Sequence, residues 1–197
     1  MKNNMLKKNI VFVTIILFVG ASVVSGINND VELVDVIDEI GNLNLGTETF
    51  YPSDDAYTSM HSPSVNTGSH WAMDIRNRYD GMSNDWEKDL LIMFDISSIS
   101  SGTLIESAIL KIYYHDFEQS NPAGRALTSH RITSNWGEES VTWNARPSHA
   151  TGITSSSAVP GSPGQWMEWH VTGDEQDFVN GLETNYGWQI MDEAYWG

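Results

Sequence analysis

The spacing of apolar and polar positions changes character twice along this 197-residue chain. At the start, an unbroken apolar run at 10–19 follows Lys2, Lys7 and Lys8 and leads into small residues up to Gly26. A basic head, an apolar middle and a small-residue end make a secretory signal, with cleavage expected after Ser25 or Gly26. Residues 10–27 also form 18 positions without a charge, nearly enough for a helix across a bilayer core of about 30 Å. An uncleaved membrane anchor is therefore the rival reading, and under either one the rest of the chain faces outward. In 27–46, Leu33, Val36, Ile37 and Ile40 recur at helical spacing before Gly41, Asn42, Asn44 and Gly46, which predicts an acidic spacer with a short helix.

From Thr49 onward the period drops to two, in short stretches separated by Gly, Ser, Asn, Asp and Pro. That is the pattern of an all-β sandwich. The clearest strand alternates Ala108, Leu110, Ile112 and Tyr114 on one face with Ile109, Lys111, Tyr113 and His115 on the other. Residues 90–94 are apolar throughout, as in a central strand, and 165–171 place Met167, Trp169 and Val171 on one side. Further strands are expected near 50–57, 72–77, 126–132 and 187–191. One helix is predicted from Gly173 to about Gly181, capped by Thr172 and favoured by the acids at its start, with Phe178, Val179 and Leu182 covering an open end of the sandwich. Residues 148–164, rich in Ser, Gly and Pro, read as a long surface loop. The organisation is thus a signal or anchor at 1–26, a spacer at 27–46 and one domain at 47–197, long enough to bury roughly 70% of its unfolded surface.

Composition narrows the chemistry. The chain has no cysteine, so disulfides, zinc-thiolate sites and thiol catalysis are excluded. Its net charge is -16, and without the three leading lysines 7 basic residues face 26 acidic ones, giving -19. Nucleic acid does not fit such a surface. The six histidines show no HExxH arrangement, and there is no Gly-x-Ser-x-Gly elbow. Glu138 and Glu139 are adjacent, so they point different ways and make a poor glycosidase pair; Glu138 is expected to close its own turn by hydrogen bonds. Among hard oxygen ligands, Asp54 and Asp55 on the first strand suit calcium, ahead of Asp174, Glu175 and Asp177 at the helix start, where acids serve the dipole.

Eight tryptophans and seven tyrosines remain. Most large aromatics in strands pack in the core, and Trp136, Trp143, Trp169 and Trp188 are assigned to structure. Trp71, Tyr79 and Trp86 lie instead in segments with Gly68, Asp80, Gly81, Asn84 and Asp85, where a loop position favours binding. Arg76 and Arg78, two apart in a strand-like run, share a face and suit a carboxylate or sulfate. The bland alternative is that they neutralise Asp74, Asp80 and Glu87.

Four motifs in order carry a family resemblance. They are Phe94-Asp-Ile-Ser-Ser-Ile-Ser-Ser-Gly102, Ile105-Glu-Ser-Ala-Ile-Leu-Lys-Ile-Tyr113, Trp136-Gly-Glu-Glu-Ser-Val-Thr-Trp-Asn-Ala-Arg-Pro147 and Asn185-Tyr-Gly-Trp-Gln-Ile190. Together they resemble the DNRLRE domains, also described as disaggregatase-related repeats and family 96 carbohydrate-binding modules. The resemblance runs from about Phe50 to the last residue. It implies a jelly-roll-like β-sandwich with one short helix, here behind an N-terminal signal or anchor helix, on an extracellular surface protein. Family members continue beyond the last motif into another strand, so a C-terminal truncation of the domain is expected at Gly197. The function implied is non-catalytic polysaccharide binding through Trp71, Arg76, Arg78, Tyr79 and Trp86. The alternatives are a structural or adhesive sandwich contacting protein, and part of a polysaccharide-degrading enzyme.

Overall fold

The computed structural model describes residues 19–20, 46–78, 86–118 and 120–194. The expected signal or anchor and the spacer lie outside these residues except for Val19–Gly20 and Gly46. The elements are β1 (Val19–Gly20), β2 (Pro52–Ser59), β3 (Arg76–Arg78), β4 (Trp86–Phe94), β5 (Leu104–Ile105), β6 (Ile109–Tyr114), β7 (Ala126–Arg131), β8 (Ser155–Ala158), β9 (Gln165–His170), α1 (Thr172–Val179) and β10 (Trp188–Met191). The main sheet runs β2-β4-β10-β7-β8, with β3 also pairing with β4; β6 and β9 form a second sheet, and β1 pairs with β5. Every pairing is antiparallel. The all-β sandwich with one short helix is therefore the fold of this chain.

β4 explains the layering. Leu90 and Ile92 point into the core between the sheets, with Leu110, Met167, Trp169, Val171, Trp188 and Ile190. Leu91 points the opposite way and packs with Ala56, Ile132, Trp136 and Val141. A strand apolar on both sides needs two covers. The second sheet supplies one, and the segment from Trp136 to Val141 supplies the other. Trp169 and Trp188 are fully buried, and their indole N–H groups donate to Leu127 O at 2.8 Å and Asp174 Oδ2 at 2.9 Å. Buried tryptophans need such partners.

The Asn-Tyr-Gly-Trp motif closes β10 onto β4. Asn185 Nδ2 donates to Phe94 O at 2.9 Å, and its Oδ1 accepts from Gly187 N at 3.0 Å. Gly187 has φ +74°, and a Cβ there would stand 1.9 Å from Ile92 O. Only glycine meets both conditions.

Two expectations need correction. The stretch 148–164 is not all loop, because β8 pairs with β7 from Ser155 to Ala158. Its Ser-Ser-Ser-Ala sequence lacks apolar alternation, since its work is polar: Ser155 and Ser157 hydroxyls accept from His170 N at 3.0 Å and Glu168 N at 3.3 Å, joining the main sheet to β9. The helix starts at Thr172, whose hydroxyl accepts from Ala108 N at 3.0 Å in place of capping. Phe178 and Val179 are buried as expected, whereas Leu182 is exposed.

Glu175 lies fully buried in α1 with no hydrogen-bond partner for either carboxylate oxygen. Burial, reinforced by Asp174, pushes its pKa from 4.5 up to about 7. The folded state then holds a proton that the unfolded chain releases above its ordinary pKa. The stabilisation is complete below pH 4.5 and is lost as pH rises through about 7. Urea unfolding of wild type at pH 5 and pH 8 should therefore show a fall that E175Q reduces, with E175Q the more stable protein at pH 8 by on the order of 1–3 kcal/mol. Equal pH dependence in the two proteins would contradict this account.

Candidate functional site

The loop at 60–75 joins β2 to β3 and is held at several points. Its first residue donates from Met60 N to Glu87 O at 2.9 Å. Thr67 Oγ1 accepts from Tyr57 N at 3.0 Å and donates back to Tyr57 O. Asn66 Nδ2 donates to Glu138 O at 2.7 Å and to Val141 O at 2.8 Å, while its Oδ1 accepts from Gly68 N at 3.2 Å. Asn144 adds a backbone bond to Pro63 O at 2.9 Å and a side-chain bond to Ser64 Oγ at 3.2 Å. The tryptophan segment that covers β4 thus also grips this loop.

On that braced loop Trp71 is 65% exposed. Its ring lies 6.0 Å from His70 and 6.3 Å from His115, and His70 meets Tyr57 edge-on at 5.6 Å. His70 Nδ1 lies 2.8 Å from Ala72 O, which orients the ring. At the start of β4, Trp86 stacks on His61 with centroids 3.7 Å apart and planes 11° from parallel. The Arg76 guanidinium sits 5.8 Å over the Trp86 ring and pairs with Glu118 at 3.4 Å. Lys88 pairs with Asp74 and lies 5.2 Å over the Tyr57 ring. Burial, then Asp74, pushes the Tyr57 hydroxyl above its ordinary pKa, so it stays a neutral hydrogen-bonding group. The result is a rim of flat rings interleaved with cations.

The structure brings Trp71, Arg76 and Trp86 to this one end of the sandwich. Arg78 pairs by its backbone with Trp86, and Tyr79 lies outside the described residues. Arg76 meets Glu118 rather than the acids expected to neutralise it, and Asp74 is taken by Lys88. Because Glu118 is largely exposed, that pair contributes only about 0–1 kcal/mol, and a ligand anion can displace it. Asp54 and Asp55, adjacent on β2, point to opposite faces. Asp54 Oδ1 accepts from Glu138 N at 3.4 Å, and Asp55 N donates to Glu138 Oε2 at 3.5 Å. Glu138 therefore reaches back to β2. Among the described residues, no three His, Asp or Glu side chains gather as a metal site. Of the helix acids, Asp174 accepts from Thr154 and Trp188, Asp177 lies 3.6 Å from Arg131, and Glu175 is buried.

Trp136 and Trp143 are buried. Trp136 Nε1 donates to Tyr186 O at 2.9 Å, and Arg146 stacks 3.8 Å over Trp143. A shallow recess of about 400 Å³ between Met93, Ile96, Phe178 and Asn185 lies at the other end of β4, away from the aromatic rim. Sequence reasoning missed His61, His70, His115 and Tyr57. The spacing of the histidines argues against a zinc site, and nothing in it announces ring contacts across loops. The available signal was their position next to loop tryptophans, as in His70-Trp71.

The family model of carbohydrate-binding module family 96 matches residues 46–195. No curated protein matches the chain.

Gly68 tests how tightly the loop is held, because a Cβ there would stand 2.2 Å from Glu138 O. G68A should force the loop off the tryptophan segment and lower stability by about 1–3 kcal/mol in urea unfolding. A variant as stable as wild type would show that this contact is loose.

Proposed function

We propose that this chain, which belongs to carbohydrate-binding module family 96, is a non-catalytic module that holds polysaccharide on the rim formed by Trp71, Trp86 and Arg76. The observation that carries the reading is Trp71: a large flat ring, mostly exposed, on a loop that four side chains fix in place. Sugar C–H faces stack on such rings, and a ring already in position loses little entropy on binding. Histidines and Tyr57 beside it offer hydrogen bonds to hydroxyls, and Arg76 can grip a carboxylate or sulfate in bidentate fashion. The overall negative charge favours neutral or sparsely charged glycans over dense polyanions.

The remaining features fit a protein exported through residues 1–26 and working outside the cell, either secreted or anchored by 10–27. Non-catalytic action is supported by Glu138, whose carboxylate engages β2, so Glu138 and Glu139 do not form a working pair.

Affinity electrophoresis through gels cast with xylan, polygalacturonate or carrageenan tests this, with calcium and EDTA lanes to read any contribution from Asp54 and Asp55. At least one polymer should retard the wild type, and W71A should weaken that affinity about tenfold, a loss of about 1.4 kcal/mol. R76A should matter only in the two acidic gels. Absence of retardation in all three would sink the proposal, and release of reducing ends would point to an enzyme instead.

A further inference from the structure

The rim does not end at the loop. His115, which meets Trp71, follows β6 two residues after Tyr113, a step of at most about 7 Å. Tyr113 stands on the outer face of the β6–β9 sheet, directly across from Trp166 in the register. The two rings meet at 5.3 Å in an edge-to-face arrangement, with Tyr113 37% and Trp166 41% exposed. Two cross-strand pairs further along, Lys111 and Glu168 bond at 2.6 Å on the same face. The turn before β9 fixes this end: Gly164, at φ +86°, donates to Tyr114 O at 2.8 Å and leaves room beside the Tyr113 hydroxyl.

Tyr57, His70, Trp71 and His115 therefore form one set of meeting rings, and Tyr113 with Trp166 a second set on the sheet, the two joined by the short backbone step from Tyr113 to His115. The ring-to-ring steps within the two sets run from 5.3 to 6.3 Å, each about the size of one sugar ring. A cross-strand aromatic pair stabilises a sheet only modestly, so sheet stability alone does not require this pair to lie open. Resting on the glycan-binding reading above, the geometry points to a second contact area at Tyr113 and Trp166, with Lys111 and Glu168 as its hydrogen-bonding groups. The ligand is then an internal stretch of an extended polysaccharide chain, spanning several consecutive sugars, rather than a chain end or a single sugar.

Calorimetric titration of the full chain tests this with oligomers of two to eight units from whichever of the three polymers retards it. Wild-type affinity should rise with length. Y113A and W166A should leave the shortest binding oligomer unaffected and weaken the longest about tenfold, W166Y should restore most of that, and W71A should weaken every length. Thermal unfolding of each variant checks that the sheet is intact; the two alanine variants test the same contact independently. Affinity independent of length, or Y113A and W166A equal to wild type throughout while W71A is impaired, would overturn the extended track and leave the loop site standing. Failure of every polymer to bind would remove both.

Discussion

One carboxamide links fold to surface. Asn66 donates to two backbone carbonyls of the tryptophan segment, Glu138 O and Val141 O, and accepts from Gly68 in its own loop. Carbonyls beneath a covering segment need partners, and leaving them unpaired costs about 1–3 kcal/mol each. With them satisfied, the loop carrying Trp71 is bound to the same segment that seals β4. The close approach of Gly68 to Glu138 follows from that packing.

The rest of the architecture leads to this junction. Because β4 is apolar on both sides, the main sheet needs a cover outside as well as inside, and Trp136 with Val141 provides it. Those residues hold their place through Trp136 Nε1 on Tyr186 O, while Asn185 and Gly187 lock the same stretch against Phe94 and Ile92. The tryptophan segment and the Asn-Tyr-Gly-Trp motif are thus one mechanical unit built of buried rings and close backbone contacts. The loop residues proposed to bind, Trp71 and Arg76, sit next to that unit, not in it.

Much of the fold was legible in the sequence because period-two patterning is a direct consequence of burial on one face. The alternation in 108–114, the apolar run in 90–94 and the inward set Met167, Trp169 and Val171 all hold. β8 was hidden because serine hydroxyls, not apolar faces, fix it. Thr172 looked like a cap, yet its hydroxyl is taken by Ala108 across the chain, a tertiary choice that local sequence does not encode. At the candidate site, Trp71 was legible as an exposed loop ring, whereas Trp86, expected in a loop, opens β4 half-buried and Arg76 opens β3. Their stacking on His61, His70 and His115 depends on contacts between residues 25 to 44 positions apart in two of the three cases. Trp166 could have been found by parity, since it alternates with Met167 and Trp169 and so must face outward.

On the proposed function, the tryptophan segment acts on binding through Asn66, which holds Trp71 in place. The decisive measurement is a double-mutant cycle on N66A and W71A, read as polysaccharide affinity with each variant's folding verified. The account predicts that N66A weakens binding in the wild-type background and adds almost nothing once Trp71 is gone. Fully additive losses, or an N66A variant that binds like wild type, would contradict it.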